Sequence, residues 1–177
     1  MRTIVVVPYD PIWPEMFRQE AARIATVFGP DLVAIHHIGS TSIPGMSAKP
    51  IIDIMPVVRC IDRVDALNPA MAQLGYEAFG EHGIPGRRYF RKGGDEDCTH
   101  HVHIFEPGSP EVAKHLDFRD YLVAHPGDAQ AYAGLKQDLA RQFPHDVYAY
   151  MDGKDGLIRE IMQRARAWRS ERADGAL

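Results

Sequence analysis

The chain has 177 residues, 45% hydrophobic and 25% charged, a balance that fits one globular core and excludes a disordered or fibrous chain. A formal net charge of −4 supplies no overall basic field, so no nucleic-acid partner is expected. Two separated cysteines, Cys60 and Cys98, match neither a disulfide framework nor a zinc spacing, and suit a reducing cytoplasm.

The run Ile4 to Val7 predicts a short strand or extended arm ended by Pro8. It is too short for a signal peptide or a membrane span, so no membrane partner is expected. Pro14 suits a first helical turn, and Phe17, Ala21, Ile24 and Phe28 recur at helical spacing until Gly29-Pro30 stops them. Leu32 to Ile38 reads as a buried strand, followed by a small-residue loop from Gly39 to Ala48 and a second strand from Pro50 to Val58. Asp62 to Leu74 reads as a helix broken at Asn68-Pro69 and stopped by Gly75. Arg87 to Arg91 and Thr99 to Glu106 read as strands joined by a polar turn over 93–97. Beyond Ser109-Pro110-Glu111, a strong helix start, three helices are expected over 110–124, 127–142 and 156–170. His125-Pro126 separates the first two, and Pro144 with Gly153 and Gly156 separates the last. The expected class is α+β: an α/β region with a mixed sheet over 1–108, then a helical region over 109–177 packed on it in one compact domain.

The loop is the most informative stretch. A strand runs into Gly39-Ser40-Thr41-Ser42, and the next strand carries Asp53 between apolar neighbours. Glycine allows close approach to a phosphate, while N–H groups and hydroxyls donate to its oxygens. A carboxylate on the adjacent strand can hold a divalent ion against the same phosphates, and Lys49 adds positive charge. A tight turn with capping hydroxyls accounts for the same residues, and both readings stay open on spacing alone. On the later strand, alternation puts His101 and His103 on one face, suited to a metal, a phosphate or acid–base work. Of His36 and His37 only one can face the site, and His37 is preferred. Arg88 is the phosphate candidate from the cluster Arg87, Arg88, Arg91 and Lys92, whose other reading is a charged strand edge. Arg119 on the first C-terminal helix and Lys136 beside the stripe Tyr132-Leu135-Leu139 are the remaining cationic candidates. No Gly-x-Ser-x-Gly elbow is present, and the acids before Cys98 disfavour a reactive thiol.

Several motifs in one order resemble the GrpB family over nearly the whole chain. They are Val7-Pro8-Tyr9-Asp10-Pro11-Ile12-Trp13-Pro14, then His37-Ile38-Gly39-Ser40-Thr41-Ser42-Ile43-Pro44-Gly45-Met46, then Ala48-Lys49-Pro50-Ile51-Ile52-Asp53-Ile54, the His-rich strand, and Phe118-Arg119-Asp120-Tyr121-Leu122. The resemblance implies a minimal nucleotidyltransferase-like fold over 1–108 in which a Gly-Ser turn binds a nucleoside triphosphate. It also implies relatives fused to dephospho-coenzyme A kinase. Such enzymes usually carry two acids separated by one residue after the loop and a third on a later strand. Here Asp53 is followed by Met55, and the later strand offers His101 and His103.

The expected function is nucleotidyl or phosphoryl transfer from a nucleoside triphosphate to a small-molecule acceptor. Asp53, His101 and His103 are expected to be both catalytic and metal-binding, with Mg2+ or Mn2+, and Zn2+ as an alternative. Gly39, Ser40, Thr41, Ser42, Lys49, Arg88, Arg119 and Lys136 are expected to bind the phosphates. Two other classes stay open: a non-catalytic nucleotide or coenzyme A-binding helper, and a His/Asp metal-dependent hydrolase or ligase. A homodimer is also left open.

Overall fold

In a computed structural model of the chain, residues 3–94 and 97–174 are described. A mixed five-stranded sheet runs in the order β1-β2-β5-β4-β3, built from β1 (Leu32–Ile38), β2 (Ile52–Val58), β3 (Tyr76–Ala78), β4 (Arg88–Lys92) and β5 (His100–Ile104). β2 and β5 are parallel, and the other neighbouring pairs are antiparallel. The short β3 escaped the sequence reading because three residues are too few for a periodic signal.

The sheet separates two chemistries because side chains alternate across it. Ile52, Ile54, Phe90, Val102 and Ile104 point to one face, where they pack with Trp13, Ile24 and Phe28 of α1 (Trp13–Phe28) and with Met71 of α2 (Asn68–Gln73). Asp53, Met55, Tyr89, His101 and His103 take the other face. There Met55 is fully buried with Ile38 and Phe105, against Val112 and Leu116 of α3 (Pro110–Ala124). The segment from Asp62 is a 3-10 turn over Ile61–Leu67 running into α2, so Asn68-Pro69 starts the α-helix rather than breaking one. Ile4 to Val7 forms no ladder; Val7 makes one bridge to Ala48. The middle of the predicted turn over 93–97 lies outside the described residues.

Behind α3 come α4 (Pro126–Gln142) and α5 (Val147–Asp174). Tyr121, Leu122, Tyr132, Ile161 and Ala165 pack these helices against Ile43 and Met46 of the loop after β1. The last helix is the largest departure from expectation, since it runs straight through Gly153 and Gly156. At Gly153 a side-chain carbon would lie 2.5 Å from Leu139 Cδ2, so this glycine permits close packing of α5 on α4 instead of ending the helix. Among the described residues, no helix is long and apolar enough to cross a membrane.

Candidate functional site

The register of three strands builds the site. Ile38 pairs with Asp53, Asp53 with His101, and His103 with Tyr89, so one carboxylate and two imidazoles stand side by side on the helix-facing surface. Asp53 Oδ1 receives both rings, at 3.1 Å from His101 Nδ1 and 3.4 Å from His103 Nε2. Burial alone would raise the Asp53 carboxyl, but the two imidazole N–H bonds and charges hold it well below the usual carboxylate range. Burial likewise pulls the His101 imidazolium down, and its bonds to Asp53 and Cys98 outweigh that, raising it to about 9. On the far side of His103, Nδ1 lies 3.4 Å from Arg87 Nη1. Arginine can only donate, so Nδ1 accepts and Nε2 carries the proton given to Asp53.

The loop after β1 closes the floor. Gly39 has φ 70 and ψ −173, a conformation that glycine alone adopts readily, and a side-chain carbon there would stand 2.5 Å from Asp53 Oδ2. The three hydroxyls after it differ in role. Ser40 Oγ accepts from Lys136 Nζ at 2.7 Å, Thr41 Oγ1 meets His37 Nε2 at 2.9 Å, and Ser42 Oγ donates back to the Gly39 carbonyl. Thr41 is buried with its hydroxyl tied to His37 of β1 and to the Ile51 carbonyl, and Ser42 braces the turn.

A cavity of about 300 Å³ opens above this floor, between the sheet and the three C-terminal helices. Its lining includes Gly39, Ser40, Thr41, Lys49, Asp53 and His101 from the sheet side, with Lys114, His115, Tyr132, Lys136, Tyr150 and Lys154 from the helices. Four ammonium groups thus share one cavity with a single carboxylate. Lys49 and Lys154 bracket the buried Tyr150 ring at 4.3 and 4.5 Å from its centroid, and Lys136 stands 4.6 Å over Tyr132. Lys114, at the rim, pairs with Glu111 at 3.1 Å. Lys136 is only 3% exposed and also donates to the Ser47 carbonyl at 2.7 Å. Burial, and then the charge of Lys154, lowers its ammonium to about 7.

That shift carries a sign. A lysine whose folded pKa is about 7 binds fewer protons folded than unfolded between pH 7 and its ordinary value, so its contribution to stability rises with pH across that window. The wild type is expected to gain stability relative to Lys136→Met between pH 7 and pH 9. Denaturant midpoints of both proteins at the two pH values check this, and parallel profiles would contradict it.

Of the residues expected from sequence, Gly39, Ser40, Thr41, Lys49, Asp53, His101 and Lys136 line the cavity, and His103 supports it through Asp53. Four do not join them: Arg88, Arg119, Ser42 and His37. Arg88 pairs with Ile104 in the ladder and so points to the opposite face, bound to Asp65 at 2.8 Å. The residue of that strand on the site face is Tyr89. Arg119 donates to the His37 carbonyl at 3.0 Å and to Asp120, and with Ser42 it lines a separate groove beside Trp168. His37 stacks on Phe17 of α1 at 4.8 Å, away from the cavity. The sequence reading missed Lys114, His115, Tyr150 and Lys154. A signal existed for the first two: Lys114, His115 and Phe118 cluster along α3 and all reach the cavity.

A family profile described as GrpB protein matches residues 3–164. The chain belongs to the GrpB family. Within the family, the UPF0157 protein YqkA of Bacillus subtilis is 48% identical over 178 residues, which span 99% of this chain but 52% of YqkA. The chain therefore covers about half the length of that relative. The GrpB crystal structure from Enterococcus faecalis superposes with a TM-score of 0.88 at 41% identity, covering 93% of this chain and 99% of that one. Terminal uridylyl transferase 4 from Trypanosoma brucei, solved with bound dUTP, gives a TM-score of 0.56 at 12% identity over 90% of this chain and 56% of its own. That likeness establishes a nucleotidyltransferase-like fold and nothing finer. A dephospho-CoA kinase of Mycobacterium tuberculosis is 27% identical over 187 residues, 92% of this chain and 46% of the kinase.

Proposed function

We propose that this GrpB protein transfers a nucleotidyl or phosphoryl group from a nucleoside triphosphate to a small-molecule acceptor. One observation carries the reading: Ser40, Lys49, Lys136 and Lys154 meet in a cavity whose floor is the Gly39 turn and whose wall is Asp53 with His101. Ammonium groups that outnumber the carboxylate lining one cavity, the buried Lys136 among them, favour a polyanion as ligand. The triphosphate lies against Ser40 and the lysines, with its reacting phosphorus towards Asp53. Tyr132, Phe118, Ile158 and Met162 give the remaining cavity an apolar wall for the uncharged part of a ligand. A divalent ion held by Asp53, His101 and His103 supplies charge neutralisation at the transferred group. In the nucleotidyl case an acceptor oxygen bonds to the α-phosphorus, the bridging P–O bond breaks, and pyrophosphate leaves. The acceptor proton passes to solvent.

The test is thermal stability of the metal-stripped protein with nucleoside triphosphates, with and without added divalent ions, alongside assays for released pyrophosphate and nucleoside diphosphate. A triphosphate at ~100 times its dissociation constant adds about 2.7 kcal/mol, or roughly 5–11 °C for a chain of this size. The shift is expected in the wild type and expected to shrink severalfold in Lys136→Met. No shift with any triphosphate would remove the polyanion reading.

A second reading has its own support. The similarity to a dephospho-CoA kinase and the apolar Met55 beside Asp53 both favour a nucleotide- or coenzyme A-binding module that does not turn its ligand over. A stability shift with release of neither pyrophosphate nor nucleoside diphosphate under any acceptor would favour that reading.

A further inference from the structure

Two magnesium ions held by carboxylates do not fit these residues. Magnesium takes oxygen ligands in octahedral geometry, and a paired site needs several carboxylates around it. Met55 stands one pleat beyond Asp53 on the same face, fully buried against Ile38 and Phe105, and offers only a thioether. The strand beside Asp53 brings imidazoles and no acid, because Asp53 pairs in register with His101. Among the described residues, the one group of three potential ligands close enough to share an ion is Asp53, His101 and His103, with ligand atoms all within 4.8 Å of one another.

We infer that the Asp53–His101–His103 triad takes a single first-row transition ion of the manganese-to-zinc series in preference to magnesium. The assignment concerns the ion of the site proposed above and does not depend on which nucleotide occupies it. Donor type is the first argument, since imidazole nitrogen binds these ions far better than it binds magnesium. Spacing is the second. Ligands about 2.0–2.1 Å from a tetrahedral ion stand about 3.4 Å apart, and Asp53 Oδ1 already lies 3.1 and 3.4 Å from the two ring nitrogens. The third is the open side: Asp53 and His101 border the cavity, so an ion with three protein ligands keeps a position for water or a phosphate oxygen.

The second shell sets the affinity. At His101, the Cys98 side chain is a hydrogen-bonding partner beside Asp53. His103 is different. Ligation through Nε2 moves its proton to Nδ1, where Arg87 presents another donor at 3.4 Å. Arg87 therefore opposes the ion and keeps the site exchangeable. Arg87→Gln removes the guanidinium donor that faces Nδ1, while the shorter amide can take the place of Nε against the Glu81 carbonyl.

The experiment uses chelator-treated full-length protein without nucleotide, so its outcome is independent of the triphosphate reading. Co2+ titration followed by visible absorption is expected to give one equivalent with the intense bands of a nitrogen-ligated, low-coordinate ion. Zinc should displace the cobalt, and a thousandfold excess of Mg2+ should leave the spectrum unchanged. His101→Gln should lose the bands while keeping the wild-type circular dichroism spectrum, and Arg87→Gln should bind Co2+ about tenfold tighter. Displacement of cobalt by Mg2+, a spectrum equal to that of hydrated Co2+, or full retention of the bands in His101→Gln would each overturn the assignment.

Discussion

Asp53→Ala is expected to lower kcat/KM for triphosphate turnover by on the order of a thousandfold, with little change in the far-ultraviolet circular dichroism spectrum. The carboxylate is the one anion in the cavity wall, and it alone bridges both imidazoles. Its loss removes the oxygen ligand of the proposed ion and the carboxylate that lines the cavity beside its lysines. An ion contributes several kcal/mol at a transferred phosphoryl group, and each 1.36 kcal/mol is a factor of ten in rate. A second readout separates this from general damage. In metal-free wild type, Asp53 and Cys98 overcome burial to hold the His101 imidazolium up to about 9. In Asp53→Ala the Asp53 contribution is lost and burial remains, so the NMR titration midpoint of His101 should fall. Full turnover in Asp53→Ala would remove Asp53 from the machinery altogether.

Gly39→Ala is expected to have the second-largest effect, this time on stability as well as activity. Two costs combine at one atom. The backbone at φ 70 and ψ −173 resists any side chain, and the new carbon would arrive 2.5 Å from Asp53 Oδ2. The neighbour that must give way is the carboxylate, which is tied to both histidines. Strain of about 1 kcal/mol with overpacking of about 1–3 kcal/mol predicts a loss of roughly 2–4 kcal/mol, or about 4–16 °C in Tm. Because Asp53 is displaced, ion binding should weaken along with the fold. Calorimetry of the metal-free protein reads the first effect and Co2+ titration the second. A Tm within 1 °C of wild type, with normal ion affinity, would mean the loop accommodates a side chain freely.

What could be read in the sequence follows how local each signal is. Alternation in Thr99 to Glu106 was enough to place His101 and His103 on one face, and the Gly39 loop announced itself by composition. Strand register is not local, and it decided the rest. Whether Arg88 or Tyr89 faces the carboxylate depends on which of them pairs with His103, a fact set by the β4–β5 ladder rather than by either strand alone. The hydroxyl run misled in a similar way. Ser40, Thr41 and Ser42 look equivalent as letters, yet a single 3-10 turn sends them to the cavity lysine, to His37 and back to Gly39. On the helical side the cavity lysines were hidden because burial of an ammonium depends on tertiary packing that no single helix reveals. Lys154 was lost between two glycines that read as a break.

That glycine pair has a consequence for how the cavity keeps its shape. A helix-interior glycine ordinarily costs about 1 kcal/mol relative to alanine, because it leaves more freedom to the unfolded chain. At Gly153 the cost secures an alignment: Leu139 fills the space where a side chain would be. A bare notch of this kind works as a key. If α5 turned about its axis, a bulkier residue would meet Leu139 and the two helices would be forced apart. The notch lies one residue before Lys154, so the absence of a side chain at one position aims the ammonium at the next.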